Sequence, residues 1–222
     1  MEVQSKSNLR KPLLYPSAQV YDWGTTLVVS PCADNQWLGC AGAVALLRKM
    51  GYRVRTLFLG QPPCWSTAED QMLVQGAAYL GVSEQAMAQL HLRHGLFPLP
   101  QQPGFDEAVR LLINELEDLE PDTVVVPTVG DDYTDAAATQ QMVSEALRRF
   151  QVPIRTIEYE RLDQQMRQKK VVQPTREYKV WRLDIREVMD DKLTALQHWR
   201  QANSPSLPEV LPAWETFLEY RA

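Results

Sequence analysis

Val28-Val29-Ser30-Pro31-Cys32-Ala33-Asp34-Asn35-Gln36-Trp37-Leu38-Gly39-Cys40-Ala41-Gly42 is the stretch on which the reading of this chain turns. It opens as a strand: Thr26 to Ser30 is a short β-branched, apolar run. Pro31 ends the run, and Cys32, Asp34 and Asn35 make a sharp turn of short side chains. From Leu38 to Met50 the apolar residues Leu38, Ala41, Val44, Ala45 and Leu47 recur at helical spacing, and Gly51 is the stop. A buried strand, a tight turn and a helix are the first half of a βαβ unit.

Working outward, the same alternation continues. Val54 to Leu59 reads as a second strand. Ser66 or Thr67 caps a helix running to Leu80, and Gly81 ends it. Leu90-His91-Leu92 is a short strand, and Phe105 to Leu119 an amphipathic helix broken by Pro121-Asp122. Thr123 to Pro127 is another buried strand, followed by a helix from Asp135 to Phe150. Ile154 to Tyr159 and Lys179 to Leu183 read as later strands, Arg186 to Gln201 as a helix, and Ala213 to Tyr220 as a last helical piece. Strands alternating with helices predict an α/β fold: a three-layer α/β/α sandwich with a Rossmann-like, mostly parallel sheet. Residues 1–16, polar and punctuated by Pro12 and Pro16, are expected to be an N-terminal extension, and 17–222 a single domain. In such sheets the site is built by the loops at the carboxyl ends of the strands, here 31–37, 60–66, 93–104 and 128–135.

The 222 residues, 45% hydrophobic and 23% charged, are ordinary for one globular domain. A net charge of −5 and the lack of a long basic run argue against nucleic-acid binding. No stretch approaches the ~20 apolar residues of a membrane span. Met1 to Lys11 lacks the apolar core of a secretory signal, and Cys32, Cys40 and Cys64 are odd in number without zinc-ribbon spacing. The expectation is a cytoplasmic protein with free thiols.

Four carboxylates, Asp34, Asp131, Asp132 and Asp135, fall in two loops expected side by side above the sheet. Such a group can hold a cation or act as acid and base. Asp is also simply a good turn and helix-capping residue, and that plainer reading stays open on spacing alone. His91 and His94, at the end of a strand, read as satisfied surface or core histidines.

Four segments together resemble the LmbE/PIG-L family of N-deacetylases. The Ser30–Gly42 stretch is similar to the family's Ser-Pro-His-Pro-Asp-Asp-Glu followed by Leu-Gly-Cys-Gly-Gly. Here Cys32 stands at the His, Asn35 at the second Asp and Gln36 at the Glu, while Asp34 keeps the first Asp. Pro127 to Thr139 is similar to the family's Asp-x-His-x-Asp-His-Arg-x-Thr, with Tyr133 at the first His, Asp135 retained and Ala136 at the last His. Asp184-Ile185 with Lys192, Ala195-Leu196 and His198-Trp199-Arg200-Gln201 resembles the C-terminal helix, Arg200 replacing a Ser. Ala77 to Val82 resembles a helix end, with Met72 at the offset where the family has a second charged residue.

The resemblance implies the fold, an activity of removing N-acetyl groups from amino sugars, and a zinc cofactor. It also implies that the three zinc positions are Cys32, Asn35 and Ala136. Catalytic zinc needs three protein ligands and a water whose pKa it lowers. Ala136 has no donor, Asn35 no charge, and Cys32 alone makes no site. The expectation is therefore a chain without a metal cofactor: a pseudoenzyme whose remnants are Asp34, Asp135 and His198. Its pocket is lined by Gln36, Trp37, Asp131, Asp132 and Tyr133 and takes a small polar, sugar-like ligand. Trp37 and Trp199 sit beside the signature residues, where aromatic faces suit sugar rings, although large apolar side chains are more often core. Three alternatives stay open: a hydrolase with a metal site rebuilt from Cys32, Asp34 and Asp135 with Asp131 or Asp132; a Cys32–His198 nucleophile pair; and a non-catalytic assembly partner or homo-oligomer.

Overall fold

The alternation expected from the sequence forms an eight-stranded sheet between two helical layers. The computed structural model describes residues 13–15, 20, 22–61, 66–129, 134–162, 178–203 and 211–220. Across the sheet the strands run β4 (Met87–Arg93), β3 (Val54–Gln61), β2 (Thr26–Ser30), β5 (Thr123–Pro127), β6 (Arg155–Tyr159), β8 (Trp214–Tyr220), β7 (Tyr178–Asp184) and β1 (Leu13–Tyr15). All pairings are parallel except those of β8, which runs against both β6 and β7.

The neighbouring interior strands β2 and β5 are buried at every residue, as parallel strands covered on both faces must be. Their side chains alternate between two cores. Val28, Phe58, Val125 and Ile157 pack under α1 (Ala33–Gly39), α2 (Ala41–Lys49), α3 (Thr67–Tyr79) and α6 (Met189–Asn203). Leu27, Val29, Leu57, Leu59, Val124 and Val126 pack under α4 (Phe105–Leu119) and α5 (Thr134–Phe150). In α4 the buried residues Phe105, Ala108, Val109, Leu112, Leu116 and Leu119 form one stripe, as its periodicity predicts. Ser66 starts α3 through a reciprocal capping box with Glu69.

Three expectations are corrected. The segment 213–220 is not helical but the antiparallel strand β8. Glu215, Thr216, Phe217 and Leu218 are all buried there, because the strand is inserted between two others and covered on both faces. The helix expected from Leu38 to Met50 begins earlier and is two helices, broken at Cys40 (φ −141°, ψ 16°). The break has a partner: the Glu215 carboxylate accepts the first N–H groups of α2, from Gly42 (2.7 Å) and Ala43 (2.8 Å). Lys192 of α6 completes this carboxylate's contacts at 2.7 Å, both side chains being almost wholly buried. Finally, Leu13–Tyr15, expected within the N-terminal extension, is an edge strand paired with Trp181–Leu183.

Candidate functional site

Strand β2 pairs with β3 on one side and β5 on the other, so the chain order reverses between β2 and β5. At this switch point a crevice opens beyond the carboxyl ends of the strands. After Ser30 the chain enters α1, with Asp34 in its first turn. After Pro127 it leads to α5, with Asp135 in its first turn. Both acidic residues therefore lie at the same end of the sheet, as the sequence predicts.

Each is held by a different donor. The indole Nε1–H of Trp199, from α6, donates to Asp34 Oδ1. The backbone N–H of Gly95 donates to Asp135 Oδ2 (2.6 Å), and His94 Nε2 stands 3.8 Å from the same oxygen. Asp135 is only 3% exposed, and its Oδ1 has no hydrogen-bond partner among the described residues.

Asn35, 2% exposed, is turned into the floor of the crevice. The Tyr159 hydroxyl donates to its Oδ1 (2.5 Å) and lies 2.6 Å from Ser30 Oγ, whose hydroxyl completes the chain as a donor. Tyr159 ends β6 and is fully buried. Its ring packs against Gly39, where a Cβ would lie 2.3 Å from Tyr159 Cδ2. Tyr159 thus links the ends of β2 and β6 with α1. It escaped the sequence reading, and its signal was positional: a polar aromatic at the carboxyl end of a central strand.

Cys32 is the buried N-cap residue of α1, and Ala136 is a buried methyl in the first turn of α5. Gln36 and Trp37 are buried, and neither Gln36 Oε1 nor Trp37 Nε1 has a partner among the described residues. Trp37 packs toward Gly76 of α3 and belongs to the core. His198 stacks on the ring of Tyr79, at the end of α3 (4.8 Å between centroids). The neighbouring residue, Trp199, is the one that reaches Asp34. Asp131, Asp132, Tyr133 and Cys64 lie outside the described residues. Cys40, below the crevice, is held as a thiol: burial pushes its pKa well up, Glu215 adds to this and Lys192 opposes it.

A tetrahedral zinc centre with an open position requires three anionic or imidazole ligands. At the positions that the sequence resemblance equates with zinc ligands, Cys32, Asn35 and Ala136, this chain presents a buried thiol, an amide oxygen already engaged by Tyr159, and a methyl group. These residues do not fit the ion. Among the described residues no three His, Cys, Asp or Glu side chains converge in a way that could hold a metal. No described helix is long and apolar enough to cross a membrane.

The sequence matches no protein-family model and no curated relative. Solved structures do resemble the chain. A triple mutant of the deacetylase of the teicoplanin biosynthetic pathway aligns over 89% of this chain and 98% of its own, with a TM-score of 0.66 and 13% identity. A conserved protein of Thermus thermophilus aligns over 79% and 78%, with a TM-score of 0.60 and 20% identity. The N,N'-diacetylchitobiose deacetylase of Pyrococcus horikoshii aligns over 83% and 73%, with a TM-score of 0.59 and 18% identity. The fold is that of the LmbE/PIG-L-type deacetylases.

Proposed function

We propose that this chain is a non-catalytic member of the LmbE/PIG-L fold group that binds a small polar, sugar-like ligand in the switch-point crevice without a metal. One observation carries the reading. The side chain at a zinc-ligand position, Asn35, is neutral, buried and committed to Tyr159, which is itself bonded to Ser30. A buried, mutually satisfied polar chain of this kind is costly to open. It leaves Asn35 without the charge that an ion would need and with its oxygen already engaged. Asp34, the residue the resemblance makes a general base, is likewise occupied by an indole N–H. Cys32 and Cys40, neither of them in a disulfide, suit a reducing compartment.

The test is metal analysis of protein purified without chelator, paired with acetate release from N-acetylglucosamine with and without added zinc. The expected result is no stoichiometric zinc and no acetate above the buffer control. Binding of the sugar, followed by NMR, should persist at full strength in the presence of chelator.

A second reading is a hydrolase with a rebuilt metal site, and the observation favouring it is the orphaned Asp135 Oδ1 beside His94. A buried carboxylate oxygen without a donor is the kind of group a cation would complete. One equivalent of zinc, lost on Asp34→Ala or Asp135→Ala, would establish that reading and end the first.

A further inference from the structure

The two edges of the sheet are unlike. β1, at one edge, is three residues long and offers little backbone to pair with. β4, at the other, is seven residues long, and among the described residues no strand pairs with its outer side. Both cores run out at this strand without being closed. Met87 is only half-buried against the core under α3, and Ala88, Leu90 and Leu92 are only half-buried against the core under α4. We propose that β4 is a homodimer interface, in which the β4 edges of two copies pair antiparallel about a twofold axis and join the two sheets into one.

Sheet edges that stay single are commonly blocked by a charge, a proline or a bulge. From Met87 to Leu92 the strand has no Lys, Arg, Asp, Glu or Pro. Its register with β3 shifts between Phe58 and Gly60, and His91 takes a φ of +54°. That irregularity ends the straight part of the edge and confines the pairing to Met87–Leu90, within the range of about 3–10 residues found for strands.

Charge selects the second copy as the occupant and sets its direction. Glu84, in the 3-10 turn Glu84–Ala86 that leads into β4, is exposed, and so is Arg93, the last residue of the strand. They stand at opposite ends of the edge, and neither is held in an ion pair among the described residues. With the twofold axis at Gln89, Arg93 of each copy lies over the turn that carries Glu84 of the other, at both ends at once. A parallel pairing in the same register would set Arg93 beside Arg93 and Glu84 beside Glu84, which is destabilising. In the antiparallel pairing Ala88 faces Leu90 of the second copy, small against large on the α4 side. Gln89, whose amide both donates and accepts, faces its own copy. A strand from an unrelated protein would find the same open backbone but not these reciprocal charges.

Nothing in the crevice enters this pairing, so its failure and that of the proposed function are separate events. The test is sedimentation equilibrium of the full 25.4 kDa chain between about 1 and about 100 µM. A monomer–dimer equilibrium is expected. Arg93→Glu and Glu84→Arg should each raise the dimer dissociation constant at least about tenfold, because each brings like charges together at both ends. The double variant Glu84→Arg with Arg93→Glu restores opposite charges and should return the constant to within about threefold of the unmodified chain. Hydrogen exchange at the same concentrations should show backbone amides within Met87–Leu90 that are protected in the dimer and lose protection on dilution. A chain that stays monomeric to about 100 µM would overturn the proposal. So would a dimer indifferent to the single charge reversals, one that the double variant fails to restore, or one whose concentration-dependent protection lies outside β4.

Discussion

Replacing Lys192 with methionine tests whether the frame beneath the crevice is held by one buried ion pair. Lys192 and Glu215 have side chains 3% and 1% exposed, with Nζ and Oε1 2.7 Å apart. At that separation, and with an effective interior dielectric near 20, the attraction is about 6 kcal/mol, most of it offset by the desolvation of both ions. Lys192→Met keeps the side-chain volume and strands the carboxylate. Removing one partner of a buried pair typically costs about 3–5 kcal/mol. Glu215 would retain the Gly42 and Ala43 N–H groups at the positive end of α2, an interaction worth up to about 2 kcal/mol. The expected loss is therefore at the lower end, about 3 kcal/mol. It should be read as a fall in the urea midpoint at unchanged m, by far-ultraviolet circular dichroism. Lys192→Met combined with Glu215→Gln removes both charges, so the double variant should be more stable than the sum of the single losses predicts, by more than about 1 kcal/mol. A loss below about 1 kcal/mol for Lys192→Met, or strict additivity, would refute the view that these charges depend on each other.

Gly39→Ala should destabilise by about 1–3 kcal/mol or more, because its Cβ would lie 2.3 Å from the buried Tyr159 ring; Gly51→Ala, at φ +84° with nothing within 4 Å, should cost only the backbone strain of about 1–2 kcal/mol. Chemical denaturation of both variants checks the contrast. Glu160 has its pKa raised by burial, partly opposed by Arg182, so its contribution to stability is full below its unfolded pKa and is lost as pH rises through the folded value. Glu160→Gln should therefore raise the thermal midpoint at about pH 7 but not at about pH 4, measured by calorimetry. Asn35→Asp alone should destabilise by about 1–3 kcal/mol through an uncompensated buried charge, and should take up no zinc. Joined with Cys32→His and Ala136→His, it should bind zinc and regain stability on adding the ion, seen as a zinc-dependent thermal shift.

The sandwich was legible because its signals are local. β2 and β5 are continuous apolar runs, α4 has a single stripe, and Ser66 and Gly81 punctuate α3. β8 was not legible. Trp214, Phe217 and Leu218 are spaced as on a helix, and Glu215 reads as a solvent-facing charge until Lys192 and the α2 N-terminus are known to surround it. The break at Cys40 was hidden for the same reason, since the group that caps α2 lies more than 170 residues away in the chain. At the candidate site, the turn and both first-turn aspartates were readable, but not their partners. Tyr159, Gly95 and the Trp199 indole reach the site by tertiary packing, which spacing in one segment does not encode.

The charge of the turn explains why these substitutions belong together. Set beside the family pattern it resembles, the turn has exchanged two carboxylates for amides, at Asn35 and Gln36. That removes two negative charges, as many as a zinc ion would neutralise. A turn that lost the ion but kept its carboxylates would bury like charges side by side, at a cost of several kcal/mol for each ion taken from water. Asp34 and Asp135 each accept an N–H donor. Asp34 takes the Trp199 indole, and Asp135 the Gly95 backbone. The amide at 35 joins a neutral chain with Tyr159 and Ser30. Cys32 contributes a thiol at the buried N-cap, where an imidazole would be larger and titratable. On the proposed reading this balance would leave the crevice floor stable without a cation, and the strand–turn–helix frame is packed by Tyr159 on Gly39 and Trp37 on Gly76.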